Sequence, residues 1–214
     1  MTFTSAHMSI SLDGFVAGPD QSPEDPLGRR GMMLHQWHFD VDEAGPIDRR
    51  WAERLLRPRG AYVMGRNMFG PVRGSWSSWD GDWRGWWGEE PPYHAPVFVV
   101  THHARPPVPM SGGTVFHFVT DGFGEALRLA REAGEGDVDI AGGASLVRQA
   151  LAADELDELT LDLVPVLLGR GERLFDDTTV NQLEAVEAEY SPRPPISAAA
   201  SSVDPISSRQ IKET

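Results

Sequence analysis

Asp137 to Phe175 reads DVDIAGGASLVRQALAADELDELTLDLVPVLLGRGERLF, and this order of patterns leaves few architectures open. Val138, Ile140 and Ala141 form a short apolar run that suits a buried strand. Gly142 and Gly143 end it. Ala144 to Leu151 then carry Leu146, Val147, Ala150 and Leu151 at helical spacing, with Ser145 near the start, where a hydroxyl can cap free amides. Leu159, Leu161 and Leu163 alternate with Thr160 and Asp162, which is strand periodicity with one face buried. A strand that ends in two glycines at a helix start has a chemical use. First-turn amides have no internal partner and carry partial positive charge. Glycine lets an anion approach the backbone, and phosphate is the usual guest. The same residues also suit a plain tight turn, and the glycine pair alone does not choose.

Upstream, Phe3 to Ile10 reads as a first strand, followed by the turn SLDG at Ser11 to Gly14. Phe15 to Gly31 is rich in Gly, Pro and Asp, a composition that means loop, either an active-site loop or a surface one. Met32 to Glu43 is ambiguous. A clearer helix opens at Pro46, with Trp51, Leu55 and Leu56 inward, and stops at Pro58 and Gly60. Ala61 to Met64 is a short strand that runs into GRNM at Gly65, Arg66, Asn67 and Met68 and a short helix. Pro96 to Thr101 and Val115 to Val119 are further strands, and Asp121 can cap a helix over Phe123 to Ala133. Leu183 to Tyr190 alternates in part. Strands and helices taking turns argue an α/β fold with a mainly parallel sheet, and the close spacing of the last strands allows an antiparallel edge.

Ser75 to Gly88 holds five of the chain's seven tryptophans. Such a stretch either anchors a long loop by aromatic burial or forms a rim for a flat heterocycle. The organisation is one domain, residues 1–190, with a Ser/Ala/Pro-rich tail, 191–214, whose composition predicts disorder.

The sequence has no cysteine, so disulfides, thiolate nucleophiles and thiolate metal sites are excluded. His102 and His103 are adjacent and would point to opposite faces of an extended segment, a poor arrangement for joint metal ligation; no metal site is expected. A formal charge of -13 and the lack of a basic stripe disfavour nucleic acid as a partner. No stretch has the length of a membrane helix and no signal segment is visible, so the expectation is a cytoplasmic protein without a membrane partner.

Three strand ends carry related chemistry: GRNM, the Thr101–His102–His103 turn, and GGAS at Gly142 to Ser145. In open α/β sheets, ligands bind outside the carboxyl ends of strands. Together these turns suit a dinucleotide pyrophosphate, with Arg66 and the histidines near an added phosphate.

With SLDGFVAG at Ser11 to Gly18, MGRNMFG at Met64 to Gly70, VFVVTHH at Val97 to His103 and the GG, DEL and PVLLG series, the sequence resembles the dihydrofolate-reductase-like superfamily. The likeness is to the branch containing the reductase domain of riboflavin biosynthesis. It implies a three-layer fold with a mixed, mostly parallel central sheet and NADPH as hydride donor. It also implies an oxidoreductase acting on a small heterocycle or a ribosylaminopyrimidine, as a 5-amino-6-(5-phosphoribosylamino)uracil reductase does. By that resemblance Gly65, Arg66, Asn67 and Met68 meet the adenosine side of the cofactor. Thr101 and His102 lie by its 2′-phosphate, with His103 nearby. Gly142, Gly143, Ala144, Ser145 and Leu146 wrap the pyrophosphate, and the Gly142–Gly143 bond is a candidate cis peptide. Asp13 lies by the nicotinamide or the substrate and is the first candidate proton source, with Asp40 and Asp42 behind it. Two departures stand out. Ala141 occupies the position where riboflavin-pathway relatives carry a substrate-contacting Glu, and the tail replaces the family's last strand. The alternative is therefore a binding protein on the same fold that has lost turnover. The apolar strand after DEL can serve a homodimer interface.

Overall fold

Alternation along one strand sets the architecture. In β1 (Thr4–Ser11), Ala6, Met8 and Ile10 project to one face and Ser5, His7 and Ser9 to the other. The computed structural model describes residues 2–39, 45–70, 74–78, 83–176 and 183–191. Within them lie β2 (Phe15–Ala17), β3 (Ala61–Gly65), β4 (Pro96–Val100), β5 (Val108–Pro109), β6 (Val115–Val119), β7 (Val138–Gly142), β8 (Glu158–Val164) and β9 (Glu172–Arg173). The main sheet has seven strands in the order β5-β6-β4-β3-β7-β1-β8. All its pairings are parallel except β5 with β6.

The helices are α1 (Gln36–Phe39), α2 (Pro46–Leu55), α3 (Arg66–Phe69), α4 (Phe123–Ala133) and α5 (Ala144–Ala152). The longer helix faces bury by 3.6-residue spacing. In α4, Phe123, Ala126, Leu127 and Ala130 turn inward, and in α5, Leu146, Val147, Ala150 and Leu151 do. They meet Ala6, Met8, Ile10, Val63, Val138 and Ile140 in the largest apolar cluster. The other face of the sheet carries two separate clusters. One gathers Tyr62, Met64, Phe69, Val97, Val99 and Phe116; the second gathers Phe15, Leu34, Trp37, Ala52, Val164 and Leu168. Helices on both sides of one mixed sheet give the expected three-layer α/β fold.

Several local expectations change. The Gly/Pro-rich stretch from Phe15 begins with a strand, because buried Phe15, Val16 and Ala17 pair antiparallel with the distant β9. Leu56 is exposed, and α2 buries Asp48 and Ala52 instead. Gly122, not Asp121, stands at the N-cap of α4, at φ 89° and without a side-chain capping bond. Gly143 takes that place in α5, and Ser145 is exposed. The antiparallel edge is β5; β8 is an edge strand parallel to β1. The β8 alternation buries neither Leu161 (39 % exposed) nor Leu163 (63 %), since α4 and α5 pack over β3, β4 and β7 and stop short of this edge. Leu183 to Tyr190 forms no strand. It lies over α2, where Glu189 pairs with Arg50 and accepts from Trp51 Nε1 at 2.8 Å. Residues 40–44, with Asp40 and Asp42, and the tail from 192 lie outside the described residues.

Candidate functional site

β3 and β7 are hydrogen-bonded neighbours, and Met64 pairs with Gly142. This register sets the GRNM turn directly on the glycine pair. A Cβ on Gly65 would stand 3.6 Å from the Gly142 oxygen and 3.7 Å from the Gly143 nitrogen. The Gly142–Gly143 peptide is cis, and Gly142 adopts φ 115°, a region that side chains rarely enter. A Cβ on Gly143 would meet nothing within 4 Å, so its outer side is an open cradle at the start of α5. Ala144 and Leu146 are buried beneath it.

β4 lies on the other side of β3 and brings the Thr101 turn to the same end. Thr101 is buried, and its hydroxyl accepts from the His103 amide at 3.2 Å. His102 and His103 are exposed. The His103 carbonyl accepts from Trp76 Nε1 at 2.7 Å. Trp76 then stacks under two cations. The guanidinium carbon of Arg66 is 3.3 Å from its ring centroid and that of Arg105 is 5.0 Å away. Nε, Nη1 and Nη2 of Arg66 are buried and have no hydrogen-bond partner among the described residues. Burial, followed by the Arg105 charge, pulls Arg66 down to about 10. Arg66 stays cationic at neutral pH. A desolvated cation beside a second one calls for an anion.

The tryptophan-rich stretch serves mainly as an anchor. Trp83 Nε1 donates to the Phe69 carbonyl at 2.9 Å and Trp86 Nε1 to that of Met68 at 3.0 Å. Asn67 is exposed on the same short helix. Trp79 lies outside the described residues.

Asp13 is spent on structure. Its carboxylate accepts from Ser11 Oγ at 2.6 Å, the Leu168 amide at 3.1 Å and the Gly169 amide at 2.6 Å. The Ser11 bond, with help from the two amides, holds its carboxyl below the usual range. Such a group keeps its charge and braces the SLDG turn against the PVLLG loop. Sequence patterning gives Arg105 no site role and places Trp76 in the tryptophan-rich stretch readable as an anchor or as a heterocycle rim. Their signal was the basic residue shortly after the Thr101 turn and the first indole after GRNMF.

A second polar region lies between the two apolar clusters of that sheet face. It includes Asp139 on β7, Ser5, His7 and Ser9 on β1, and Asp162 on β8. His35 packs above, and burial together with His38 pushes it down to about 4. Burial pushes Asp139 up to about 6. These shifts act on stability with opposite signs. The unfolded protein binds the His35 proton more tightly, so that contribution is complete above the ordinary histidine range and is lost as pH falls towards 4. The folded protein binds the Asp139 proton more tightly, so that contribution is complete below the ordinary carboxylate range and is lost as pH rises through 6. The stability difference between wild type and His35→Leu is expected to move by about 3 kcal/mol in favour of wild type from pH 4 to pH 7. Urea titrations at each pH measure it. A difference independent of pH would remove the assignment.

A mixed seven-stranded sheet in the order β5-β6-β4-β3-β7-β1-β8, covered by helices on both faces, is of the dihydrofolate-reductase-like class. Within it, the protein belongs to the family described as the RibD C-terminal domain, whose profile matches residues 3–193. A riboflavin biosynthesis protein from Shewanella sp. PV-4 is similar in structure, at 25% identity and TM-score 0.53, over 85% of this chain and 86% of that one. A Thermotoga maritima diaminohydroxyphosphoribosylaminopyrimidine deaminase/5-amino-6-(5-phosphoribosylamino)uracil reductase aligns at 14% identity and TM-score 0.49, over 85% of this chain and 51% of that one. Among curated proteins, none matches the sequence. Among the described residues, no helix is long and apolar enough to cross a membrane.

Proposed function

We propose that this protein is an NADPH-dependent reductase of a phosphoribosylaminopyrimidine-type substrate. The observation that carries the reading is Arg66, buried against Trp76 with three nitrogens that have no hydrogen-bond partner among the described residues, and with Arg105 alongside. A 2′-phosphate suits this pair, because it is doubly anionic and offers several acceptor oxygens. The cis Gly142–Gly143 turn suits the pyrophosphate: the cradle beside Gly143 is open, and the first amides of α5 lack helical partners. Gly65, Asn67 and Met68 on one side and Thr101 and His102 on the other would border the adenosine end. Bound there, NADPH supplies a hydride. The protein's own residues would fix its orientation. The reductase reading draws support from membership of the RibD C-terminal domain family and from similarity to the Shewanella protein; the pyrimidine substrate is what the sequence resemblance implies.

The test is NADPH consumption with 5-amino-6-(5-phosphoribosylamino)uracil, followed by absorbance, beside NADPH binding followed by tryptophan fluorescence. Consumption with stoichiometric formation of the ribityl product is expected. Quenching without consumption would assign a binding protein that has lost turnover, the outcome that Ala141 makes chemically intelligible. No quenching at high micromolar NADPH would remove both.

A further inference from the structure

The interior of a sheet covered on both faces is ordinarily apolar. On β1 that holds for Ala6, Met8 and Ile10 but fails for the opposite face, where Ser5, His7, Ser9 and Ser11 follow one another. Parallel pairing sets Ser9 opposite Asp162 and His7 opposite Thr160 on β8. The result is a polar strip between two apolar clusters.

The strip is bonded in one direction and left incomplete in another. Asp162 Oδ2 accepts from Ser9 Oγ at 3.3 Å and lies 2.7 Å from His7 Nε2, which is within ion-pair range although His7 Nε2 makes no hydrogen bond among the described residues. Trp37 Nε1 donates to Ser9 Oγ at 3.1 Å, which fixes the layer above. His7 is nearly enclosed, with a side chain 5% exposed, and Trp51 packs edge-on against it at 6.3 Å. His35 and His38 stand over the same carboxylate, 5.4 Å apart, and His35 Nε2 is buried without a hydrogen-bond partner among the described residues. Among the described residues no group of three or more His, Asp or Glu is placed to hold a metal ion. A buried imidazole–carboxylate pair without a metal is suited to proton transfer. Ala141 follows Asp139 on β7, on this same face and one pleat beyond the Ser5–Asp139 pairing, as His7 does on β1. Ala141 thus puts no carboxylate on this face of β7 beyond Asp139, while Asp13 is held as a structural anion.

We propose that the His7–Asp162 pair, steadied by Ser9, is the substrate-side proton donor of this protein. The inference rests on the reductase reading above. Hydride from a reduced nicotinamide, which is thereby oxidised, adds to the imine carbon of the ring-opened substrate. The C=N π pair moves to nitrogen, and nitrogen takes the proton from the His7–Asp162 pair, giving the secondary amine. Water returns the proton to the pair. The charged and titratable groups around the pair are His35 and His38 above, Glu158 with Arg54 along β8, and Asp139 with Arg59 along β7.

Asp162→Asn and His7→Gln test the proposal, with NADPH and 5-amino-6-(5-phosphoribosylamino)uracil as probes. Both variants are expected to keep the NADPH Kd within about twofold, because Arg66 lies in the other cluster. Both should slow single-turnover NADPH oxidation about 100-fold or more at neutral pH and flatten its pH profile. Proton–nitrogen correlation spectra of the histidine rings give a reading without turnover. The His7 ring resonances should shift when the pyrimidine probe is added to the NADP⁺-loaded protein, and not on NADP⁺ alone. If wild type turns over and the folded variants match it in rate and pH profile, the pair is only a buried polar contact and the proposal falls. Failure of wild type itself to oxidise NADPH overturns the reductase reading and this proposal with it.

Discussion

Phe69→Ala is expected to lower the unfolding free energy by about 4 kcal/mol, the range for truncating a buried aromatic side chain. Phe69 is 1% exposed and meets Phe116, Phe118 and Trp76 edge-on at 5.0, 5.1 and 5.8 Å. Each such geometry adds to the apolar burial because ring edges carry positive and faces negative potential. The ring also closes the cluster formed by β3, β4 and β6, so its removal leaves a cavity that three strands cannot collapse to fill. A fall of about 10 °C in melting temperature follows for a domain of this size. Leu163→Ala provides the contrast: 63% exposed on the open edge, it should change stability by less than about 0.5 kcal/mol. Equal losses in the two variants would mean that the cluster is not packed as described.

Arg66→Met is expected to weaken NADPH binding about 100-fold, the worth of roughly two charge-assisted bonds, while leaving NADH binding nearly unchanged. The stability expectation runs the other way. A guanidinium with three buried nitrogens that lack partners among the described residues costs the folded protein free energy, offset in part by stacking on Trp76. Methionine keeps the contact with the ring and removes the buried charge. The melting temperature of the variant without ligand should therefore equal or exceed that of wild type. At one NADPH concentration, the melting temperature of wild type should rise more than that of the variant. A variant that loses NADPH and NADH alike, or melts well below wild type, would make Arg66 a structural residue.

The turns proposed to hold the cofactor were legible because their signals are local. Gly142 and Gly143 at the end of an apolar run, and Gly65 and Arg66 at the end of another, mark turns whose geometry depends on a few adjacent residues. The proposed proton-donor pair was not. His7, Ser9 and Asp162 each look like ordinary polar residues in half-buried strands. Ser9 and Asp162 are far apart in sequence and become partners only through the β1–β8 register. Asp13 illustrates the converse. Its chemistry permits a proton donor, but the amides of Leu168 and Gly169, brought in from far along the sequence, occupy both oxygens.

The glycine pair illustrates the division. The sequence by itself determined the strand, the glycines and the helix after them, since φ freedom, apolar runs and helical spacing are properties of neighbouring residues. Tertiary structure decided which turns face one another, which face of β1 is polar inside, and that the leucines of β8 lie beyond the helix layer. Period-two alternation assigns residues to faces but does not say what covers each face. That depends on strand order and on where each crossover lands, and both are set by packing across the whole sheet.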